Sequence, residues 1–103
     1  MSVPQYTTPT FVLTFMEEGL DLTQARNVYV TFRSGSYVIT KSGADLEIGE
    51  KTISVYLSQE DTSNFMAGGL ELQANWTTDG GGRAASDIVI YPVTEQLLKK
   101  VVE

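Results

Sequence analysis

The sequence predicts an all-β protein, an antiparallel sandwich of about seven strands closed by a short C-terminal helix. Two observations carry this. Apolar residues recur with period two over most of the chain, and Gly-containing or polar turn signals separate the alternating runs at fairly regular spacing. With 103 residues, 42% of them hydrophobic, the chain fits a single domain, 1–103, able to bury about two-thirds of its unfolded surface. A small barrel is the alternative arrangement of the same strands.

The elements follow in order. In "TFVLTF" Phe11, Leu13 and Phe15 share one face and Thr10, Val12 and Thr14 the other, as in a strand with one side on a core. After the polar connection "EEGLDLTQAR", the run "NVYVTFRS" turns Val28, Val30 and Phe32 inward and Tyr29, Thr31 and Arg33 outward. "RSGS" is a Gly-containing hairpin turn into "SYVITK". "DLEI" reads as a short strand, and "KTISVYL" alternates Ile53, Val55 and Leu57 with Thr52, Ser54 and Tyr56. In "GLELQANWTT" Leu70, Leu72, Ala74 and Trp76 share a face, and the tip "DGGG" lets this strand pair antiparallel with "RAASDIVIYPV". Pro92 belongs at a strand end or edge because it donates no ladder hydrogen bond. The period changes only at the end: Leu97, Leu98, Val101 and Val102 fall at helical spacing after Thr94, so a short amphipathic helix is expected near 94–102.

Between the fifth and sixth strands lies "LSQEDTSNFMAGGL". Ser58 is a preferred N-cap type, Glu60 and Asp61 would sit in the first turn of a short helix, and Phe65 would plug the open end of the core. The stretch therefore reads as a corner from one sheet to the other, with Glu60 and Asp61 as surface acids. A calcium loop would need oxygens at alternating positions; here the acids are adjacent, and Phe65 and Met66 occupy ligand places.

Composition narrows the function. Thirteen acids against seven bases give a formal charge of -6, which offers no basic patch for a phosphate backbone, so nucleic acid is a poor partner. Cysteine and histidine are both absent, which excludes disulfides, Ser-His-Asp and Cys-His nucleophiles and nearly every zinc site. Carboxylates remain, but spacing selects no acid/base pair among Glu47, Glu50, Asp79 and the others. The expectation is no enzyme, no cofactor and no metal. "DGGGRAAS" lacks the spacing and the Lys of a phosphate loop, and "NWT" lies inside a strand. The start "MSVPQYTTPT" has no signal-peptide pattern and no run approaches the length of a membrane span, so no membrane association is expected. Trp76 is expected in the core. Tyr29, Tyr56 and Tyr91 are outward or undecided by alternation, and half-exposed tyrosines on strands suit a sheet face covered by another protein.

The order "LDLTQARNVYVTFRSGS", then "KTISVYLSQEDTSNFMAGGLELQANWTTDGGGRAASDIVIYPVTEQLL", resembles small tail- and baseplate-associated immunoglobulin-like proteins of phages and prophages, in particular the N-terminal domain of baseplate upper proteins. The likeness runs from Thr10 to about Leu98 and rests mostly on turn and corner signals. It implies an immunoglobulin-like sandwich and a non-enzymatic structural or assembly protein of a virion, located in the particle or in the host cytoplasm during assembly. The partners would be other virion or assembly proteins, with a homo-oligomer also open. Tyr29, Tyr56, Tyr91, Leu97, Leu98 and Val101 are the candidate contact residues. A carbohydrate-binding sandwich is the alternative.

Overall fold

The alternating runs pair into two sheets in a computed structural model of the protein, which describes residues 3–16, 18–78 and 80–94. The strands are β1 (Val3–Pro4), β2 (Thr10–Thr14), β3 (Arg26–Ser34), β4 (Tyr37–Ser42), β5 (Leu46–Ile48), β6 (Thr52–Tyr56), β7 (Gly68–Thr77), β8 (Arg83–Ala85) and β9 (Val89–Thr94), with helix α1 (Gln59–Ser63) between β6 and β7. One sheet has the order β1-β9-β7-β3-β4, with β8 also on β7; the other is β2-β6-β5. Every pairing is antiparallel except that of β1 with β9. No ladder among the described residues joins the two sheets, so the arrangement is a sandwich and not a closed barrel. β2, β6 and β5 occupy the places of strands B, E and D, while β3, β7 and β9 occupy those of C, F and G, with β4 added beside β3. This is the immunoglobulin-like plan.

The inward faces are those the alternation predicts. Phe11 and Leu13 of β2, Val30 and Phe32 of β3, Ile53 and Val55 of β6, and Leu70, Leu72, Ala74 and Trp76 of β7 are all buried. Phe11 meets Phe32 across the two sheets at 5.4 Å between ring centroids, and Phe15 meets Trp76 edge-on at 5.4 Å. Phe65 closes one end of this core, with its ring 6.5 Å from Phe32 and 6.0 Å from Tyr37. Each fully buried ring or branched aliphatic side chain contributes about 1.5–3 kcal/mol of transfer free energy.

Three features depart from the sequence expectation. The seventh strand is broken into β8 and β9, which pair with successive halves of β7. The break follows Ser86, whose hydroxyl accepts from the Ala74 N–H at 2.9 Å while its own N–H donates to the Ala74 carbonyl at 2.9 Å. β1 was not expected, being only Val3–Pro4, too short to show a period. The helix expected near 94–102, with Leu97, Leu98 and Val101, lies outside the described residues.

The corner after β6 forms as its composition indicates. The Ser58 hydroxyl accepts from the Asp61 N–H at 3.1 Å, and the Asp61 carboxylate accepts from the Ser58 N–H at 3.0 Å, a reciprocal capping box. Thr62 is fully buried, and its hydroxyl accepts from the Thr7 N–H at 3.0 Å and donates to the Thr7 carbonyl at 2.8 Å, tying α1 to the segment that leads into β2. The Met66 N–H donates to buried Ser34 at 2.8 Å, which fixes the chain as it enters β7. Removal of the Phe65 ring leaves a cavity at the mouth of the sandwich, so Phe65→Ala should cost about 3–5 kcal/mol in denaturant unfolding. Glu60→Gln, at an exposed position, should move the midpoint little; the reverse ranking would show that Phe65 does not close the core.

Candidate functional site

The corner is structural, and its two acids have different roles. Glu60 points to solvent, whereas the Asp61 carboxylate meets the Lys41 ammonium of β4 at 2.9 Å, with both side chains largely enclosed. Burial works against the Asp61 carboxylate, but the Lys41 hydrogen bond, the Ser58 N–H and the charge of Lys41 outweigh it and hold its pKa below the usual carboxylate range. The expectation that Asp61 is a plain surface acid is thus corrected. The cause is the approach of β4, a long-range contact with no local sequence signal. Among the described residues no group of three or more acids is placed to hold a metal ion.

The three candidate tyrosines do not form one face. Tyr29 is exposed on the outer side of the larger sheet, and Tyr56 is exposed on the outer side of the other sheet, beside Glu47. Tyr91 is half-buried and turned inward against Phe11, with ring centroids 5.4 Å apart. Its place follows from register, because Tyr91 lies opposite inward Leu70, which puts both on the core side.

The surface that gathers apolar and paired polar groups is instead the outer face of the larger sheet. Strand register sets Val38, Arg33, Glu71 and Ile90 side by side across β4, β3, β7 and β9. Arg33 and Glu71 form a bidentate ion pair, with the two guanidinium nitrogens at 2.9 and 2.8 Å from the carboxylate oxygens. The Glu71 hydrogen bond and charge raise the Arg33 pKa, and the Arg33 hydrogen bond, against a smaller desolvation effect, lowers that of Glu71. The next row carries a Thr31–Thr40 hydroxyl contact at 3.1 Å and Gln73, whose amide donates to the Ser86 carbonyl at 2.9 Å. Exposed Val38 and Ile88 border a shallow hollow of about 190 Å³ over the ion pair. Ile90 is 65% exposed, so this row presents an isoleucine that nothing in the described chain covers.

Tyr29 stands farther along the same face. An extra residue in β3 between Arg26 and Tyr29 bulges the strand at Asn27, whose φ of 50° is in the left-handed region that Asn tolerates. Tyr29 borders a polar hollow of about 280 Å³ with Asn27, Asn75, Thr77 and Arg83. Sequence reasoning missed Val38, Ile88 and Ile90. The alternation of "SYVITK" puts Val38 outward, but the Arg33–Glu71 pair and the place of Ile88 require the register.

Fold and surface together define an immunoglobulin-like β-sandwich with an apolar-flanked ion pair on its larger sheet. No family model and no curated protein matches the chain. Among solved structures it is similar to murine CRIg, at 12% identity over 93% of this chain and 91% of that one, with a TM-score of 0.45. A likeness at that level carries no functional argument.

The Asp61 geometry has a pH signature. Its folded-state pKa lies below the unfolded value, so the stabilisation is present at neutral pH and is lost as pH falls from about 4 downward. Asp61→Asn should therefore lower the Tm at pH 7, and the gap to the wild-type chain should narrow on acidification toward about pH 3. A gap independent of pH would rule out the charged Lys41 contact as its source.

Proposed function

We propose that the chain is a non-enzymatic protein-interaction module, a structural or assembly component of a phage or prophage virion, that docks on another virion protein through the outer face of its larger sheet. The observation that carries the docking role is the Val38–Arg33–Glu71–Ile90 row. A partner covering it gains the apolar area of Val38, Ile88 and Ile90. It meets no unpaired charge, because Arg33 and Glu71 already satisfy each other. The virion setting draws its support from the likeness of the "LDLT", "LSQEDTSNF" and "DGGGRAAS" segments to baseplate-associated domains. Capsid and tail genes are expected beside this one, and co-expression with their products is expected to give a complex in size-exclusion chromatography. Ile90→Asp should weaken that complex by more than about tenfold and leave the circular-dichroism spectrum unchanged. An unrelated gene neighbourhood with no complex would sink the proposal.

A second reading, a carbohydrate-binding module, draws on Tyr29 beside Asn27, Asn75 and Arg83, an aromatic face next to amide and guanidinium donors. Glycan binding that disappears with Tyr29→Ala would favour it. Tyr91 plays no part in that test, since its ring packs on Phe11.

A further inference from the structure

The smaller sheet ends at β2, and β2 differs from the other edge strands. Pro9 and Phe15 flank it and both bond toward β6: the Pro9 carbonyl accepts from the Leu57 N–H at 3.1 Å, and the Phe15 N–H donates to the Lys51 carbonyl at 2.8 Å. The ladder alternates, so the N–H and C=O groups of Thr10, Val12 and Thr14 point the opposite way, to the side where no described strand pairs. Edge strands are ordinarily protected by a charge, a proline or brevity. β4 carries Lys41, the short β5 carries Glu47, β1 carries Pro4 and the three-residue β8 carries Arg83. β2 is "TFVLT", uncharged and without proline.

The surroundings of this edge mix apolar and polar groups. Val12 is 54% exposed at its centre, and Met16 follows it, also exposed. Beside the strand, between the two sheets, runs a groove of about 300 Å³ whose walls are apolar at Val12, Leu13, Phe15, Val89 and Tyr91 and polar at Thr14, Ser86 and Asp87. A strand laid along β2 would both complete its hydrogen bonds and cover this groove.

We propose that the strand is β2 of a second copy, paired antiparallel about a twofold axis at Val12, so that β5-β6-β2 continues into its symmetry mate. Charge selects this occupant. The chain carries a net charge of -6, so most contacts between copies set acid near acid, whereas this register lays Thr10 on Thr14, Phe11 on Leu13 and Val12 on Val12, with no charge in the ladder. The register centred on Val12 also overlaps the whole of β2, which makes every edge-facing group of Thr10, Val12 and Thr14 a partner of its counterpart. The contact is self-complementary, as a twofold interface requires. It leaves the outer face of the larger sheet open, so the dimer is independent of the docking surface described above.

Light scattering on the full chain at tens of micromolar is expected to give the mass of a dimer. Val12→Lys sets two ammonium groups opposite each other at the axis and is expected to give a monomer with an unchanged circular-dichroism spectrum; Thr14→Lys provides a second variant at an exposed edge position. Because the chain has no cysteine, Val12→Cys introduces a single thiol. Directly opposed residues of a hydrogen-bonded pair lie about 5.5 Å apart at Cα, within disulfide range. Mild oxidation should therefore cross-link Val12→Cys into a covalent dimer, and should leave Val38→Cys, on the other sheet, uncrosslinked. Ile90→Asp should leave the dimer intact. A monomeric wild-type chain, or a dimer that survives Val12→Lys, would overturn the proposal, as would selective cross-linking of Val12→Cys to a different protein.

Discussion

The contact between Phe11 and Phe32 is the interaction on which the rest of the structure depends. Immunoglobulin-like domains of the antibody type hold their sheets together with a disulfide between strands B and F against a tryptophan on strand C. This chain has no cysteine, and the corresponding strands meet through Phe11 on β2, Phe32 on β3 and Leu72, the register partner of Phe32, on β7. Packing replaces a covalent bond. The consequence is that sheet-to-sheet cohesion has to come from area, and the aromatic side chains are spread along the sandwich accordingly: Phe15 on Trp76, Phe11 on both Phe32 and Tyr91, Phe65 on Phe32 and Tyr37. Tyr91 is drawn inward by the same demand.

A core held by packing alone is weakest where the sheets diverge, and the α1 corner secures that end. Phe65 supplies the apolar closure, but its position is set by polar groups around it. Thr62 copies a strand's bonding pattern onto the backbone of Thr7, Ser34 receives the Met66 N–H, and Asp61 joins the Ser58 cap to Lys41 on β4. Through these bonds the short helix touches the start of the chain and the strands β3 and β4. Every buried side-chain polar atom in the described structure has a partner, as a corner at the end of a core requires.

The sequence made the inward faces legible because period two is a local property: Leu70, Leu72, Ala74 and Trp76 announce their side without knowledge of any neighbour. Ser58 and Phe65 were readable for the same reason, since capping and a lone aromatic in a polar turn are local signals. Pairings were not. Lys41 reaches Asp61, and Arg33 reaches Glu71, only after β4, β3 and β7 have adopted one register, and a shift by one residue would turn each side chain to the other face. Tyr91 shows the same limit. Pro92 and the break at Ser86 obscure the alternation of the last strand, and only its pairing with Leu70 decides which way the ring points. The three tyrosines that alternation leaves outward or undecided therefore lie on different sides of the molecule. The residues that do share a face, Val38, Ile88 and Ile90, come from separate segments brought together by strand order.

The charges are distributed in a way that bears on association. Seven bases serve thirteen acids in this chain, and two of those bases are fixed where a positive charge would otherwise be left alone near apolar surface. Lys41 turns inward from edge strand β4 to Asp61, and Arg33 lies flat against Glu71 on the outer face. Each pair removes a local charge without adding one, so the larger sheet carries a neutral, apolar-edged patch within an acidic molecule. β2 reaches the same condition by having no charged residue at all. Desolvating an unpaired charge costs several kcal/mol, more than a few exposed aliphatic side chains return on burial, so surfaces able to lose water are those where charge has been paired or left out. Among the described residues these include the row from Val38 to Ile90 and the edge centred on Val12, on opposite sheets of the sandwich. Their separation allows one copy to use both at once.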